Sequence, residues 1–162
     1  MTLCNHMDRR CLSIQLDAKT REEALHALAL RAESEGLVDD HEDFFEKLKI
    51  REEEMSTGVG RGIAVPHAEV PDAVDTFVIG ATLVSPVEYQ ALDDMPVDII
   101  FLIGGKPGKT GLHLQILSRI ARLARQPEFL HRLRLQRDPE AFWNTIEEEE
   151  NRLYSEEEIT RG

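Results

Sequence analysis

One segment of this sequence gathers, within 17 residues, side chains and backbone flexibility suited to a phosphoryl group. It contains two arginines, two hydroxyl side chains, three glycines and a histidine after a proline: Arg51, Ser56, Thr57, Gly58, Gly60, Arg61, Gly62, Pro66 and His67. Glycine backbones adopt positive φ and let amide N–H groups converge on an anion, while the arginine fork matches phosphate oxygens. The segment is therefore predicted to hold a phosphoryl group, with the imidazole as its acceptor.

The histidine of this segment is suited to nucleophilic attack on phosphorus. Pro66 restricts the backbone immediately before His67, where the side chain must be aimed. An imidazole with an ordinary pKa of about 6.5 is largely uncharged near neutral pH, so a nitrogen lone pair is available to form a phosphohistidine. Because phosphoryl transfer needs mainly alignment and charge stabilisation, an arginine, hydroxyls and amides suffice, and neither a metal nor a cofactor is expected.

The length and charge of the chain narrow the classes of function. The 162 residues fit one domain, and 19 basic against 31 acidic residues give a net charge of −12, which disfavours nucleic acid or an anionic membrane as a partner. The longest apolar run, residues 97–103, is far shorter than the ~20 residues of a membrane span.

A cytoplasmic location with reduced Cys4 and Cys11 is expected. A metal cluster of these cysteines with His6 is disfavoured, because their spacing matches no common zinc pattern.

Hydrophobic periodicity predicts an α/β fold with a mixed parallel and antiparallel sheet flanked by helices. The predicted domain covers residues 12–150, after an N-terminal extension (1–11) and before an acidic, frayed C-terminal tail (151–162). Predicted strands are 12–16, 63–65, 77–84, 97–103 and a short edge strand at 86–89. Predicted helices begin after Thr20, after Asp39 or Asp40, at Thr110 or Gly111, at Pro127 and at Pro139.

The segment from Arg51 to His67 resembles the active-site segment of a known family. These are the enzyme IIA domains of the phosphoenolpyruvate-dependent phosphotransferase system, in the superfamily with mannitol, fructose and nitrogen-regulatory members. The resemblance extends to residues 85–98 and to Leu112-His113-Leu114, and it covers roughly residues 12–148. It implies that family's sandwich of a mixed sheet and helices.

The resemblance also implies a role for each matching residue. His67 would accept the phosphoryl group from a histidine of an HPr-type phosphocarrier protein. Arg51 would neutralise the phosphoryl oxygens, and His113 would steady the charge. Six residues would bind phosphate: Ser56, Thr57, Gly58, Gly60, Arg61 and Gly62.

Structural roles for the same residues stay open. Arg51 could instead bind the last carbonyls of its helix. His113 shares a helical stripe with Leu117, Ile120 and Ala124 and could be a packed core histidine. The glycines could simply form a tight turn, which is compatible with anion binding.

Two positions depart from the family pattern and alter the charge around the site. Arg61 stands where the family commonly has asparagine or an acid, and Glu69 stands near a position that is often basic in relatives. Arg61 would add attraction for phosphate. Glu69 would repel a phosphohistidine unless its side chain turns outward.

Two functions compete within the family, and a nitrogen-type regulatory IIA is favoured. Its phosphorylation state would control binding to a partner such as a kinase or a transporter. The alternative is a fructose- or mannitol-type IIA that passes phosphate to a IIB component. No IIB, IIC or HPr segment accompanies the predicted domain, and the Ser56–Gly60 sequence is flanked much as in nitrogen-type relatives.

Two further alternatives belong to other classes. One is a docking module that accepts no phosphate and binds through an apolar rim near Val59 and Ile63. The other is a nucleotide-binding P-loop at residues 104–110, which is disfavoured because the motif requires glycine at position 103, where the chain has Ile103.

Overall fold

A computed structural model describes residues 2–161 of the chain, and the side chains up to Ser155. Over this range a six-stranded mixed sheet lies between two layers of helices. The strands are β1 (Ser13–Leu16), β2 (Gly58–Gly60), β3 (Ile63–Ala64), β4 (His67–Glu69), β5 (Phe77–Val87) and β6 (Val97–Gly105). The helices are α1 (Arg21–Ser34), α2 (His41–Glu54), α3 (Thr110–Ala124), α4 (Pro127–Leu135) and α5 (Pro139–Arg161). Short 3₁₀ turns at Cys4–His6 and Arg9–Cys11 precede β1.

The antiparallel pair β5 and β6 forms the centre of the sheet. β1 runs parallel to β5 at one edge, and β3 and β4 both run parallel to β6 on its other side. β2 pairs antiparallel with β3 and completes the strand order β1-β5-β6-β3-β2. The predicted mixed α/β sheet is therefore confirmed.

The two faces of the central strands bury two separate cores. Because side chains alternate along a strand, Ile79 and Leu102 pack with α1 and α2, while Val78 and Phe101 pack with α3, α4 and α5. The first pair of helices begins where the sequence predicts. The side chain of Thr20 accepts the N–H of Glu23 at the start of α1, and an N-cap of this kind stabilises a helix by about 1 kcal/mol.

The ends of the chain differ from the sequence expectation. Residues 2–11 pack on α5, where the buried Glu150 carboxylate accepts the backbone N–H groups of Leu3 and Cys4 at 2.8 and 3.2 Å. Helix α5 continues beyond Asn151 instead of fraying there. Leu153, two residues further on, is still buried. Residues 2–11 and α5 as far as Leu153 therefore belong to the packed structure.

The predicted edge strand at residues 86–89 is wrong. β5 instead continues to Val87, which pairs with Val97 across the turn to β6. The buried Tyr89 beyond it leaves the ladder and enters the first core. Among the described residues, no helix is long and apolar enough to cross a membrane.

The two cysteines lie in different cores. Cys4 belongs to the core under α3–α5 and Cys11 to the core under α1 and α2, so the thiols share no site. Burial raises the pKa of the Cys11 thiol to about 12. Both thiols should therefore behave as inert apolar groups.

The contact between Gly104 and Phe77 gives a stability prediction. The two residues are paired across β5 and β6, and a Cβ on Gly104 would lie 2.4 Å from the Phe77 ring. Because that ring also packs edge-on against Phe44, it has little room to move. Gly104→Ala should therefore lower the free energy of unfolding by about 2 kcal/mol in urea denaturation. Gly111→Ala is the control, since nothing lies within 4 Å of a Cβ there, and equal stability of the two variants would contradict the prediction.

Candidate functional site

The chain carries His67 to the edge of the sheet on one interrupted strand. β3 and β4 keep the same register along β6, with Ala64 opposite Ile100 and His67 opposite Ile103. The interruption lies at Val65–Pro66, where proline has no N–H to donate. The Pro66 carbonyl still accepts the N–H of Ile103 at 2.9 Å. His67 is therefore fixed near the end of β6, beside the loop that leads into α3.

Backbone hydrogen bonds around the interruption fix the tautomer of His67. The N–H of Val65 donates to the carbonyl of Thr57 at 3.0 Å. The carbonyl of Val65 lies 3.0 Å from Nδ1 of the His67 ring. A carbonyl only accepts hydrogen bonds, so Nδ1 must carry the ring proton. The lone pair of the neutral ring therefore lies on Nε2.

Arg51 contacts that second nitrogen. It lies in the last turn of α2, and its Nε donates to Nε2 of His67 at 3.2 Å. Its Nη1 donates at 2.8 Å to the carbonyl of Met55, just past the helix end. The sequence left open whether Arg51 binds the end of its helix or contributes to the site. In the structure its guanidinium contacts both the helix end and the His67 ring. The helix end thus anchors a guanidinium directly beside the free nitrogen.

His113 reaches the same region from the first turn of α3. Its Nε2 lies 3.3 Å from Oγ1 of Thr76, and its Nδ1 lies 3.7 Å from Oε1 of Glu69. Burial lowers the pKa of His113 below its ordinary value, Glu69 opposes this shift, and the nearby His67 adds to it. The ring contacts polar groups of the site and does not pack only against the apolar stripe of its helix.

A buried carboxylate supports the segment that leads to His67. Glu52 is only 4% exposed and accepts the N–H of Thr57 at 2.9 Å and the hydroxyl of Tyr89 at 2.8 Å. The Thr57 hydroxyl also donates to it. The carbonyl of Thr57 in turn holds Val65, whose own carbonyl binds the His67 ring. A continuous chain of contacts therefore links Glu52 to the imidazole.

The first three predicted phosphate-binding residues, Ser56, Thr57 and Gly58, bond to other groups. The Ser56 hydroxyl donates to the Tyr89 carbonyl at 2.8 Å and accepts the N–H of Gly58 at 3.1 Å. Thr57 is buried, with its hydroxyl in the Glu52 cluster. Among the polar contacts of the described residues, none joins these three residues to the His67 ring. Any contact with a phosphoryl group stays a prediction.

The remaining three, Gly60, Arg61 and Gly62, form the turn of the β2–β3 hairpin. Arg61 and Gly62 have φ of 59° and 83°, as a two-residue hairpin turn requires. Gly62 accepts the N–H of Asp98, at the start of β6, whereas His67 pairs with Ile103 near its end. Five residues of β6 separate the two positions, which corresponds to roughly 16 Å at about 3.3 Å per residue. The glycines thus shape a turn, and they are not gathered around the imidazole.

Arg61 is also engaged at the hairpin end. Its Nη1 donates to the carbonyl of Ala124 at 3.0 Å, and its own carbonyl accepts from Arg134. Arg134 in turn pairs with Asp98 at 2.9 Å. The expected attraction between Arg61 and phosphate has no support in this geometry.

Sequence reasoning missed three residues of the site. Glu52 directly follows Arg51, but an acid on a polar helix gives no sign that it will be buried. Thr76 and Tyr89 lie in connecting segments, 9 and 22 residues after His67. Two signals were available, and the resemblance to the family contained both: the acid that follows Arg51, and Tyr89 within residues 85–98.

The assembled groups form a nucleophile with a cationic neighbour. The unprotonated Nε2 of His67 can attack once Arg51 releases it, Arg51 can bind the oxygens of an incoming anion, and His113 adds a second polarisable ring. Among residues with described side chains, no cluster of three His, Cys, Asp or Glu is placed to hold a metal ion. The fold and the site together define a carrier that uses histidine to accept a phosphoryl group.

Comparison with known proteins identifies the family. Residues 5–149 match the family described as "Phosphoenolpyruvate-dependent sugar phosphotransferase system, EIIA 2", and the chain belongs to this family. It is therefore a phosphotransferase component that carries a transient phosphohistidine.

Individual relatives carry both nitrogen-regulatory and sugar-transport names. A nitrogen regulatory protein of Bradyrhizobium diazoefficiens is 34% identical over 131 residues, covering 81% of this chain and 85% of the relative. The fructose-specific EIIABC component of Bacillus subtilis is 26% identical, covering 82% of this chain and 21% of its own length. The crystal structure of nitrogen regulatory protein IIA-Ntr from Neisseria meningitidis superposes with a TM-score of 0.82 at 25% identity, covering 89% of this chain and 98% of the other.

Proposed function

We propose that Nε2 of His67 accepts a phosphoryl group from the phosphohistidine of an HPr-type protein. The observation that carries this proposal is the pair of contacts on the His67 ring. Nδ1 is held by the Val65 carbonyl at 3.0 Å, and Nε2 faces the Arg51 guanidinium at 3.2 Å. In the reaction, the P–N bond of the donor breaks as a P–Nε2 bond forms on His67. The proton on Nδ1 stays in place.

Arg51 has to move during this step. Its Nε occupies the lone pair of Nε2 before the reaction, and a nitrogen bonded to phosphorus no longer accepts a hydrogen bond. The guanidinium therefore shifts onto the phosphoryl oxygens, where charge-assisted, bidentate hydrogen bonds are strong. The contact with the Met55 carbonyl keeps it within reach. His113, which lies near His67, supports the same oxygens.

We further propose that the carrier is of the nitrogen-regulatory type. The support is the 34% identity with a nitrogen regulatory protein and the similarity of the whole fold to IIA-Ntr. A phosphoryl group carries about two negative charges, and placed on a chain with net charge −12 it changes the affinity for a charged partner. A kinase or a transporter is the class of partner expected. The cytoplasmic location stays an expectation from composition.

The sugar-specific alternative has its own support in the similarity to the fructose-specific component of Bacillus subtilis. In that case phosphate would pass from His67 to a IIB component. The two functions therefore differ in whether the phosphohistidine is consumed by a IIB domain.

One experiment tests the acceptor role. The chain is incubated with phosphoenolpyruvate, enzyme I and its cognate HPr-type protein, and its mass is measured. We expect a gain of about 80 Da that is lost in acid and is absent from His67→Ala. Adding fructose- and mannitol-type IIB components then separates the two functions, since only a sugar carrier transfers the label rapidly. No mass gain in the wild type would leave the docking module as the remaining function.

A further inference from the structure

Glu69 faces the site instead of turning away from it. It lies two residues after His67 on β4, so both side chains project from the same face of the strand, about 7 Å apart. The Glu69 carboxylate approaches Nδ1 of His113 at 3.7 Å, and its side chain is 39% exposed. An acid therefore lies beside the position where the proposed reaction places the phosphoryl oxygens, which carry about two negative charges.

His113 contacts Glu69, lies near His67 and is poised to change charge. Its side chain is 12% exposed, and Nε2 contacts the Thr76 hydroxyl. Burial keeps its pKa below the ordinary value, so the ring is neutral at about pH 7.5 before phosphorylation. A new dianion on His67 raises that pKa, because a nearby negative charge favours the charged ring.

We infer that the phosphorylation of His67 is coupled to the uptake of one proton by His113, and that Glu69 sets the pH at which this uptake occurs. The inference rests on the proposed function. The phosphoryl group moves from the donor nitrogen to Nε2 of His67, and the proton comes from solvent onto the His113 ring. A protonated His113 then interacts favourably with both the Glu69 carboxylate and the phosphoryl oxygens. Without that proton, two like charges would face each other across the site.

The other charged groups near the ring fit this arrangement. Arg51 from α2 is directed at His67 Nε2 and the Met55 carbonyl, so it compensates the phosphoryl group and not Glu69. β4 supplies His67 and Glu69, and the segment before β5 supplies the uncharged Thr76. Glu69 is thus the acid that contacts the ring of His113.

Because phosphorylation of His67 and protonation of His113 are coupled, the phosphorylation equilibrium should depend on pH in a defined direction. His113 binds a proton more tightly in the phosphorylated form, so phosphorylation becomes less favourable as pH rises between the two pKa values of the ring. The equilibrium constant should fall by up to about tenfold per pH unit in that window and level off above it. Replacing Glu69 removes a negative charge beside His113, which lowers both pKa values and moves the window to lower pH by about half to one pH unit.

The test measures the phosphorylation equilibrium against an HPr-type protein at several pH values from about 6 to about 9. Glu69→Gln is compared with Glu88→Gln, which removes the same charge at the opposite end of β5. The equilibrium constant should depend on pH in the same way in the wild type and in Glu88→Gln, and its fall should occur at lower pH in Glu69→Gln. In His113→Gln this fall with pH should be absent. Dividing each profile by that of Glu88→Gln removes the pH dependence of the donor protein.

Direct titration of the His113 ring by NMR provides an independent measurement. Its pKa should rise on phosphorylation of the wild type and lie lower in Glu69→Gln than in the wild type in both forms. Overlapping profiles of Glu69→Gln and Glu88→Gln, or an unchanged His113 pKa on phosphorylation, would overturn the inference. A wild type that takes up no phosphate at all would instead refute the proposed function.

Discussion

Arg51→Met should slow the phosphorylation of His67 by a hundredfold to a thousandfold while the fold stays intact. The guanidinium is the cation in direct contact with the nucleophilic nitrogen, at 3.2 Å. Its loss leaves the developing charge on the phosphoryl oxygens without its main partner. Methionine retains much of the volume of the side chain, so the end of α2 should change little. The measurement is the initial rate of label transfer from a phosphorylated HPr-type protein.

A lysine at the same position is the matched comparison. Arg51→Lys keeps the charge but not the planar fork, so it should recover only part of the lost rate. The methionine variant loses the hydrogen bond to the Met55 carbonyl, which should cost about 1 kcal/mol of stability. A methionine variant that reacts as fast as the wild type would show that Arg51 only closes the helix end.

Glu52→Ala should lower the free energy of unfolding by about 3 kcal/mol. The carboxylate is buried, and it accepts the Thr57 N–H and the hydroxyls of Thr57 and Tyr89. Removing it leaves three buried donors without an acceptor and opens a cavity. A loss of this size should lower the melting temperature by about 10 °C. Urea denaturation followed by circular dichroism measures the change.

Glu53→Ala is the control for this prediction. Glu53 is exposed on the same turn of α2, and its replacement should change stability by less than about 0.5 kcal/mol. Glu52→Gln should lie between the two, since an amide keeps one acceptor but places a donor among donors. If Glu52→Ala unfolds at the same urea concentration as Glu53→Ala, the cluster contributes nothing to the stability of the fold.

The positions of most helices and strands could be predicted because their signals are local. The cap at Thr20, the prolines at the starts of α4 and α5, and the β-branched run of β6 act over a few neighbouring residues. The edge strand at residues 86–89 was predicted wrongly because a local pattern does not show that β5 continues through Pro86. The packing of residues 2–11 depends on Glu150, which is remote in sequence.

The sequence by itself determined the candidate nucleophile and its two most important companions. The resemblance named His67, Arg51 and His113, and the geometry brings Arg51 onto the His67 ring and His113 beside it. The positions and contacts of the glycines, Glu52 and Glu69 were decided only by the tertiary structure. It assigned the glycines to a distant hairpin turn, buried Glu52 and directed Glu69 at His113. These outcomes depend on strand register and on burial, which arise between segments that are far apart in the chain, so no local pattern of residue types encodes them.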